Sequence, residues 1–410
     1  MRVAEWWQIE SLPVLRPSLP WHPPFNLPSV SDLQSALAPI FEENFSVRGE
    51  LGAAVSIWID GREVVSLAGG VRDPHQKVPW DAGTMALVYS GTKGPSAACV
   101  LKCLWDAGIP LEAPVASVWP RFGLAGKEHV SFADVLSHRA GLPAVDDPPD
   151  VFDYAGVIRR LETQAPLWPP GEGHGYHPRT CGYLWDEIVR RVTGEPLGRY
   201  WRRCIAEPLG LDFWIGLPPE RARDVAPVQA ARVPPPDDAF LKAYAETGSI
   251  THRAFSCPYG LFGVSAMNSA AARMSSFPAF GGIGSARAMG KFYGMLARGG
   301  SQDGLQIMAP EAAAAMSIRL TNGFDRVLRM ETAFSAGVML DPLTPEGAKL
   351  RFTFGPSPRA FGQPGAGGSF AFADPDRRIG FAYVMNQMEP GVLPNAKSTL
   401  LVQRMYETLE

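Results

Sequence analysis

The spacing of apolar residues predicts helices near both ends of the chain and through its middle. From Leu33 to Phe41, apolar residues recur every three or four positions, which predicts a helix that Ser31 caps and that ends near Phe45. A further helix is predicted just after Ser90, with Val100, Leu101 and Leu104 on its apolar face. The same spacing predicts later helices over 182–194, 285–297 and 395–409.

Alternating or continuously apolar runs predict strands close to the two ends. Residues 51–67 predict a β-hairpin, because Asp60-Gly61 is a tight-turn signal between two β-rich runs. A turn is likewise predicted at Asp374-Pro375-Asp376-Arg377. Beyond residue 331, the predicted strands are Phe334–Leu340, Leu350–Phe354, Ser369–Ala373 and Ile379–Met385.

Strands at both ends with helices between them predict an α+β fold. We expect one antiparallel sheet built from both ends of the chain, flanked by helices, with a helical lobe inserted. Residues 1–30, rich in Pro and Trp and without a clean period, are predicted to form an N-terminal arm laid over the body at 31–410. Within that body, the predicted sheet lobe comprises 31–90 and 270–410, and the predicted helical lobe comprises 91–269.

Composition excludes several classes of partner. A net charge of −3 argues against nucleic acid and against an anionic membrane surface. The N-terminus lacks the pattern of a signal peptide, and no apolar run is long enough to cross a membrane. The five cysteines are odd in number and contain no C-x-x-C pair, which favours reduced thiols in a cytoplasmic protein.

The segment 87–95 carries the first candidate chemistry. Ser90 is followed by Lys93, and residues three apart on a helix share a face. At a helix N-terminus, backbone N–H groups favour developing negative charge. The hydroxyl could therefore act as a nucleophile if a neighbouring amine, its pKa lowered by burial, took its proton.

Two distant segments add to this pair. Residues 170–178 place Tyr176 on a Gly-rich loop before a helix, and residues 361–369 form a small-residue strand edge that a substrate could approach closely. His174 and His177 have H-x-x-H spacing, but no acidic third ligand accompanies them, so we expect no metal site.

The three segments together resemble the three signature motifs of the class C β-lactamase-like serine hydrolases. Within that superfamily the chain most resembles the family VIII carboxylesterases. Ser90–Lys93 matches the Ser-x-x-Lys motif, Tyr176 matches the Tyr of Tyr-x-Asn, and Gln363–Gly365 stands in the place of Lys-Thr-Gly or His-x-Gly. Supporting matches lie at 136–142, 285–287 and 367–375.

The resemblance implies a β-lactamase/transpeptidase-like fold and a role for each residue. Ser90 would form an acyl-enzyme, and Lys93 and Tyr176 would share the general base and acid work, with the order of proton transfer left open. The backbone N–H groups of Ser90 and Ala366 would form the oxyanion hole. Gln363 and Gly365 would lie against the substrate. No metal and no cofactor are implied.

Two departures from the motifs favour esters as substrates. The second motif reads Tyr176-His177-Pro178 and lacks its Asn, and Gln363 replaces a cation suited to a substrate carboxylate. We therefore expect a carboxylesterase for small esters of short acyl chains. The alternatives are a β-lactamase, a D-amino-acid peptidase or an oligoamide hydrolase, an acyltransferase on the same fold, and a binding protein on an inactive hydrolase fold.

Each candidate residue also has a plainer interpretation. Ser90 could be a helix cap, Lys93 a solvated surface residue and Tyr176 a core aromatic. His138 is interpreted as structural, and Ser369 is a rival nucleophile that lacks the Gly-x-Ser-x-Gly elbow. The sequence leaves open the natural substrate, its acyl and alcohol groups, and whether the chain forms a homo-oligomer.

Overall fold

Strands are concentrated near the ends of the chain and helices in its middle. The structure is a computed structural model that describes residues 30–73, 75, 77–232 and 237–410. The strands are β1 (Gly52–Ile59), β2 (Arg62–Asp73), β3 (Val78–Pro79), β4 (Met85–Leu87), β5 (Phe213–Ile215), β6 (Val225–Ala226), β7 (Gly282–Gly284), β8 (Ser301–Gln302), β9 (Leu305–Gln306), β10 (Thr321–Phe324), β11 (Glu331–Phe334), β12 (Met339–Leu340), β13 (Phe361–Pro364), β14 (Phe370–Asp374) and β15 (Ile379–Met385). The helices are α1 (Val30–Ser46), α2 (Lys93–Asp106), α3 (Phe132–Leu136), α4 (Tyr154–Thr163), α5 (Thr180–Thr193), α6 (Leu197–Trp201), α7 (Ala239–Ala245), α8 (Ile250–Ser256), α9 (Gly263–Met267), α10 (Ala270–Met274), α11 (Ala286–Ala297), α12 (Pro310–Ala314) and α13 (Ala396–Leu409).

A nine-stranded sheet joins the two ends of the chain, as the sequence predicts. Its order is β10-β11-β12-β13-β14-β15-β1-β2-β3, and neighbouring strands pair antiparallel. The N-terminal β1 lies directly beside the C-terminal β15, with Ile57 opposite Phe381. Every residue of β1 is buried, because helices cover both faces of the sheet.

Helices α1 and α13 pack on one face of the sheet and α11 on the other. On β1, Val55 and Ile57 belong to the apolar cluster with α1 and α13, while Ala54 faces the other cluster. The approach of α11 is close enough to require glycine, because a Cβ at Gly380 would lie 2.2 Å from the backbone nitrogen of Gly294. The two apolar clusters, one on each face of the sheet, therefore hold strands β13, β14 and β15 in place, and these strands lie beside the candidate site.

Between the sheet segments the chain forms α2 to α10 and a small second sheet of order β5-β7-β4-β6. Strand β4 pairs antiparallel with β7 and parallel with β6, and it leads directly into the segment that carries Ser90. The predicted division into lobes at 31–90, 91–269 and 270–410 stays a prediction. The α+β class, with a β-lactamase/transpeptidase-like architecture, is confirmed.

Several local predictions are confirmed to within a few residues. The hairpin of β1 and β2 turns at Asp60 and Gly61, both of which have positive φ. Helix α5 ends at Gly194 in the left-handed conformation, and Asn395 caps α13. Helix α1 begins at Val30, one residue before the predicted cap.

The predicted strand Phe334–Leu340 is wrong, because this run contains the turn of a hairpin. The N–H of Ser335 donates to the carbonyl of Val338, so β11 and β12 fold back on each other. Ser335 and Gly337 mark the reversal, and Gly337 has a φ of 93°, but both strands and the turn are buried, so the apolar residues around them favoured a single strand.

The predicted strand Leu350–Phe354 is also wrong. This segment is a loop, whose N–H groups at Thr353 and Phe354 donate to the carboxylate of Asp341 rather than to a neighbouring strand. Phe352 is 65% exposed, so its apolar character reflects no core position.

Three other predictions concern the chain as a whole. The predicted arm at 1–30 lies outside the described residues except for Val30. All five cysteines are free thiols, four of them buried. Among the helices that the structure describes, none has the length and apolar character that a membrane crossing requires.

Candidate active site

Ser90 lies in a 3-10 turn, Tyr89–Thr92, that connects β4 to α2. The α-helix itself begins at Lys93, so the first turn is irregular, as Pro95 in this segment predicts. Tyr89 has a φ of 45°, a strained conformation for a non-glycine residue and one that is concentrated at functional sites. Thr92 Oγ1 accepts a hydrogen bond of 2.7 Å from the N–H of Gly282, which ties the turn to β7.

Lys93 is fully buried, and its amine lies between the candidate nucleophile and two carbonyl groups. Its Nζ is 3.1 Å from Ser90 Oγ, 2.9 Å from the carbonyl oxygen of Pro178 and 2.8 Å from that of Ala279. Burial lowers the pKa of Lys93 from its usual 10.5 to about 8. A neutral amine has two N–H donors and one lone pair. With both donors on the carbonyls, its lone pair is left to accept the proton of Ser90.

Tyr176 is buried beside this pair. Its ring centroid lies 4.7 Å from the Nζ of Lys93, and the side chain of Ser90 is close enough to its hydroxyl to act on the pKa of the phenol. Burial raises the pKa of Tyr176 well above its usual range, so the phenol carries its proton at neutral pH. The structure therefore brings together the hydroxyl, the amine and the phenol that the sequence singled out.

The loop that carries Tyr176 has no regular secondary structure, and distant residues hold it. The N–H of Tyr176 donates to the carboxylate of Asp325, and its ring stacks on Phe334 at 5.9 Å between centroids. The ring of His138 meets the Tyr176 ring edge-on at 4.9 Å. The interpretation of His138 as a structural residue fits these contacts.

The third segment forms the end of β13. Gln363 is buried, and its Nε2 lies 3.4 Å from the Tyr176 hydroxyl. A Cβ at Gly365 would lie 2.1 Å from the carbonyl oxygen of Val88, so only glycine lets the strand end meet the Ser90 turn. Ala366, the next residue, is partly exposed. Gln363, Gly365 and Ala366 therefore lie at the same edge as the Ser90 turn.

The histidines of the H-x-x-H pair have protein partners. His174 Nε2 lies 2.7 Å from Thr332 Oγ1, while His177 Nε2 accepts from the N–H of Leu142 and its Nδ1 donates to the carbonyl of Gly175. Burial lowers the pKa of both rings, that of His177 to about 3. In the part of the chain that the structure describes, no three His, Cys, Asp or Glu side chains form a group that could hold a metal ion.

Among the described residues, the hydroxyl of the rival nucleophile Ser369 has no hydrogen bond to a lysine amine or a tyrosine hydroxyl. Ser369 is 2% exposed, and its Oγ accepts a long hydrogen bond from the N–H of Met385 on the neighbouring strand. The sequence analysis missed Asp325, Phe334 and the carbonyl of Ala279. No local pattern marks them, since each acts only through contact with a segment far away in the chain.

Comparison with known proteins identifies the family of the chain. Residues 41–404 match the β-lactamase family. The chain is 31% identical over 359 residues to the esterase/β-lactamase LipL of Mycobacterium tuberculosis, covering 85% of this chain and 80% of that protein.

Two solved structures are similar over almost their whole length. A penicillin-binding protein homologue from Caulobacter crescentus is 36% identical with a TM-score of 0.82, covering 92% of this chain and 98% of that one. A family VIII carboxylesterase is 32% identical, also with a TM-score of 0.82 and the same coverage. The chain thus belongs to the β-lactamase family, and it is a serine hydrolase with that family's fold.

Proposed function

We propose that the protein is a carboxylesterase that cleaves small, uncharged esters of short acyl chains through an acyl-enzyme on Ser90. The observation that carries the proposal is the contact of one hydroxyl with two proton-transfer groups. Ser90 Oγ lies 3.1 Å from the amine of Lys93, that amine lies 4.7 Å from the centroid of the Tyr176 ring, and the side chain of Ser90 is close enough to the phenol to act on its pKa.

In the acylation step, Ser90 Oγ attacks the ester carbonyl carbon and its proton passes to the neutral amine of Lys93. The tetrahedral intermediate then collapses as the C–O bond to the alcohol breaks. Tyr176 donates its phenolic proton to the departing alkoxide and is reprotonated from Lys93. In deacylation, water attacks the acyl carbon, the same groups remove its proton, and the acid leaves with Ser90 restored.

The negative charge on the carbonyl oxygen needs donors that are in place before the reaction. We assign this role to the backbone N–H groups of Ser90 and Ala366. A Cβ at Gly365 would meet Val88, so the end of β13 lies against the Ser90 turn and can face the same carbonyl oxygen. Such a donor is worth roughly 3–4 kcal/mol in other hydrolases.

The polarity of the site favours esters over β-lactams. Gln363 lies where a cation would attract a substrate carboxylate, and Pro178 lies where the motif has Asn. Both residues are neutral, and the chemistry proposed for the hydroxyl, amine and phenol needs neither a metal nor a cofactor. A neutral ester therefore fits this site better than an anionic β-lactam.

The test is intact-protein mass spectrometry after brief exposure to p-nitrophenyl butyrate and, separately, to a penicillin. We expect a butyryl adduct on the wild-type chain and none on Ser90→Ala, with turnover of the ester lost in that variant. Ser369→Ala is the control at the rival nucleophile, and it should still be acylated. Ester turnover at the wild-type rate by Ser90→Ala would overturn the mechanism, and a penicillin adduct with rapid nitrocefin turnover would favour β-lactamase activity instead.

A further inference from the structure

We infer that Asp325 is a positioning residue for the reaction: its buried carboxylate holds the backbone of Tyr176 so that the phenol stays on Ser90. The inference rests on the proposed function, since it concerns how the acid–base group of that reaction is kept in place. It adds a residue that none of the three sequence motifs contains.

The carboxylate of Asp325 is a convergence point for donors. The side chain is 0% exposed, and both of its oxygens lie 3.1 Å from the backbone nitrogen of Tyr176. Oδ1 also accepts from the N–H groups of Val327 and Leu328 at 2.8 Å each, and Oδ2 accepts from Thr332 Oγ1 at 3.2 Å. Three backbone N–H groups and one hydroxyl therefore share two oxygens.

The backbone N–H groups on either side of Tyr176 are held by His138 instead. The N–H of Gly175 donates to the carbonyl of His138, and the N–H of His177 donates to His138 Nδ1, each at 3.2 Å. Three successive N–H groups of the loop thus have fixed acceptors. The central one, on the residue whose side chain meets Ser90, is the one that a carboxylate holds.

The ring of Tyr176 has little freedom to compensate for a backbone shift. Phe334 stacks on it with an interplanar angle of 12°, His138 packs edge-on, and the amine of Lys93 lies over the ring. Because these neighbours restrict the side-chain torsions, a movement of the Tyr176 backbone would move the phenol away from Ser90 by a similar distance.

An uncharged residue would not serve equally well at this position. The ion-pair geometry that the structure gives Asp325 is with His174 at 4.0 Å, and burial lowers the pKa of that ring, so it is neutral at pH 7. Burying a carboxylate costs free energy unless hydrogen bonds replace the water that it loses, and here four donors do so. An amide at position 325 would direct N–H groups at donors that now meet an oxygen, and the N–H of Tyr176 is the one bonded to both oxygens.

The test is a double-mutant cycle with Asp325→Asn and Tyr176→Phe, measured on p-nitrophenyl butyrate. We expect Asp325→Asn to lower kcat by about tenfold to a hundredfold with KM within about twofold, since a misplaced acid–base group slows the chemical step. In the Tyr176→Phe background the same substitution should change kcat by less than about twofold, because its effect passes through the phenol. Equal losses in both backgrounds would overturn the inference.

A matched control separates positioning from stability. Asp374 is likewise 0% exposed and accepts from two backbone N–H groups and two hydroxyls, but it is the last residue of β14, next to the turn that leads to β15. Asp374→Asn should lower the melting temperature while leaving kcat per phosphonate-titrated site unchanged. If Asp325→Asn does not fold, Thr332→Val takes its place in the cycle. It removes one donor to the carboxylate, and we expect a smaller loss of kcat, again absent in Tyr176→Phe.

Failure of the inference is distinguishable from failure of the proposed function. A wild-type chain that neither turns over esters nor is labelled by a serine-directed phosphonate contradicts the proposed function. A wild-type chain that does both, with Asp325→Asn at the wild-type kcat, contradicts only the role of Asp325.

Discussion

The Ser90–Lys93 pair and the Tyr176 loop bring their functional groups to one point by different means. Ser90 and Lys93 are three residues apart where a 3-10 turn leads into α2, so local geometry places the hydroxyl beside the amine. Tyr176 lies in an irregular segment whose backbone is held by His138 and Asp325. The comparison teaches that the pair is set by its own segment, whereas the phenol depends on contacts between segments that are far apart in the chain.

The largest effect on activity is expected from a substitution in the Ser90–Lys93 pair. Lys93→Met keeps the length of the side chain but removes the only group that we assign to take the proton of Ser90. We expect kcat/KM for p-nitrophenyl butyrate to fall by on the order of a thousandfold or more, as measured by steady-state kinetics.

Lys127→Met is the control for burying a methionine in place of a lysine. Lys127 is also fully buried, and its amine donates to three carbonyl groups where that of Lys93 meets two carbonyls and Ser90. Its substitution should lower the melting temperature with little change in kcat. Lys93→Met with more than a tenth of wild-type activity would mean that Tyr176 alone suffices as the base.

The same comparison explains what the sequence could and could not predict. The hydroxyl–amine pair and the hairpin at Asp60-Gly61 depend on neighbours in the chain, so their spacing predicts them. Asp325 has no such signal, because its importance arises from burial against a loop 149 residues earlier in the sequence. Leu350–Phe354 has the composition of a strand, but the partner for its N–H groups is a carboxylate that no local pattern reveals.

A pH profile sharpens the comparison. The local segment sets the distance between Ser90 and Lys93, but residues from other segments set the pKa of the amine. The carbonyls of Pro178 and Ala279, from other segments, enclose the amine, and burial lowers the pKa of Lys93 to about 8. The base is the neutral amine, so kcat/KM should rise with pH and level off above about pH 8. At pH 6 we expect a value about a hundredfold below the plateau. A profile that levels off near pH 6.5 would instead indicate a histidine as the base.

Gly365→Ala tests the segment 361–369, whose backbone packs against the turn that carries Ser90. The new Cβ would lie 2.1 Å from the carbonyl oxygen of Val88, so the end of β13 must move away from the Ser90 turn. We expect kcat to fall about tenfold as the proposed donor on Ala366 is displaced, with a lower melting temperature. At Gly83, by contrast, an added Cβ meets only one side-chain atom at 3.4 Å, so Gly83→Ala should change neither quantity. Wild-type kcat in Gly365→Ala would remove this strand end from the oxyanion hole.

The smallest effect is expected for Gln363→Met, which asks whether the phenol is held by its backbone or by its hydroxyl. The Nε2 of Gln363 lies 3.4 Å from the Tyr176 hydroxyl, a long contact, and within the described residues its buried Oε1 has no hydrogen-bond partner. Methionine has a similar volume and leaves no polar atom unpaired, so stability should be unchanged or higher by about 1 kcal/mol. We expect kcat within about threefold of wild type and a modest rise in KM, because this side chain is assigned to substrate binding rather than to proton transfer. If Gln363→Met instead lowers kcat as far as Asp325→Asn does, the phenol is held at its hydroxyl as well as from the backbone. The contrast between the Ser90–Lys93 pair, which its own segment places, and Tyr176, which distant residues place through its backbone, would then no longer hold.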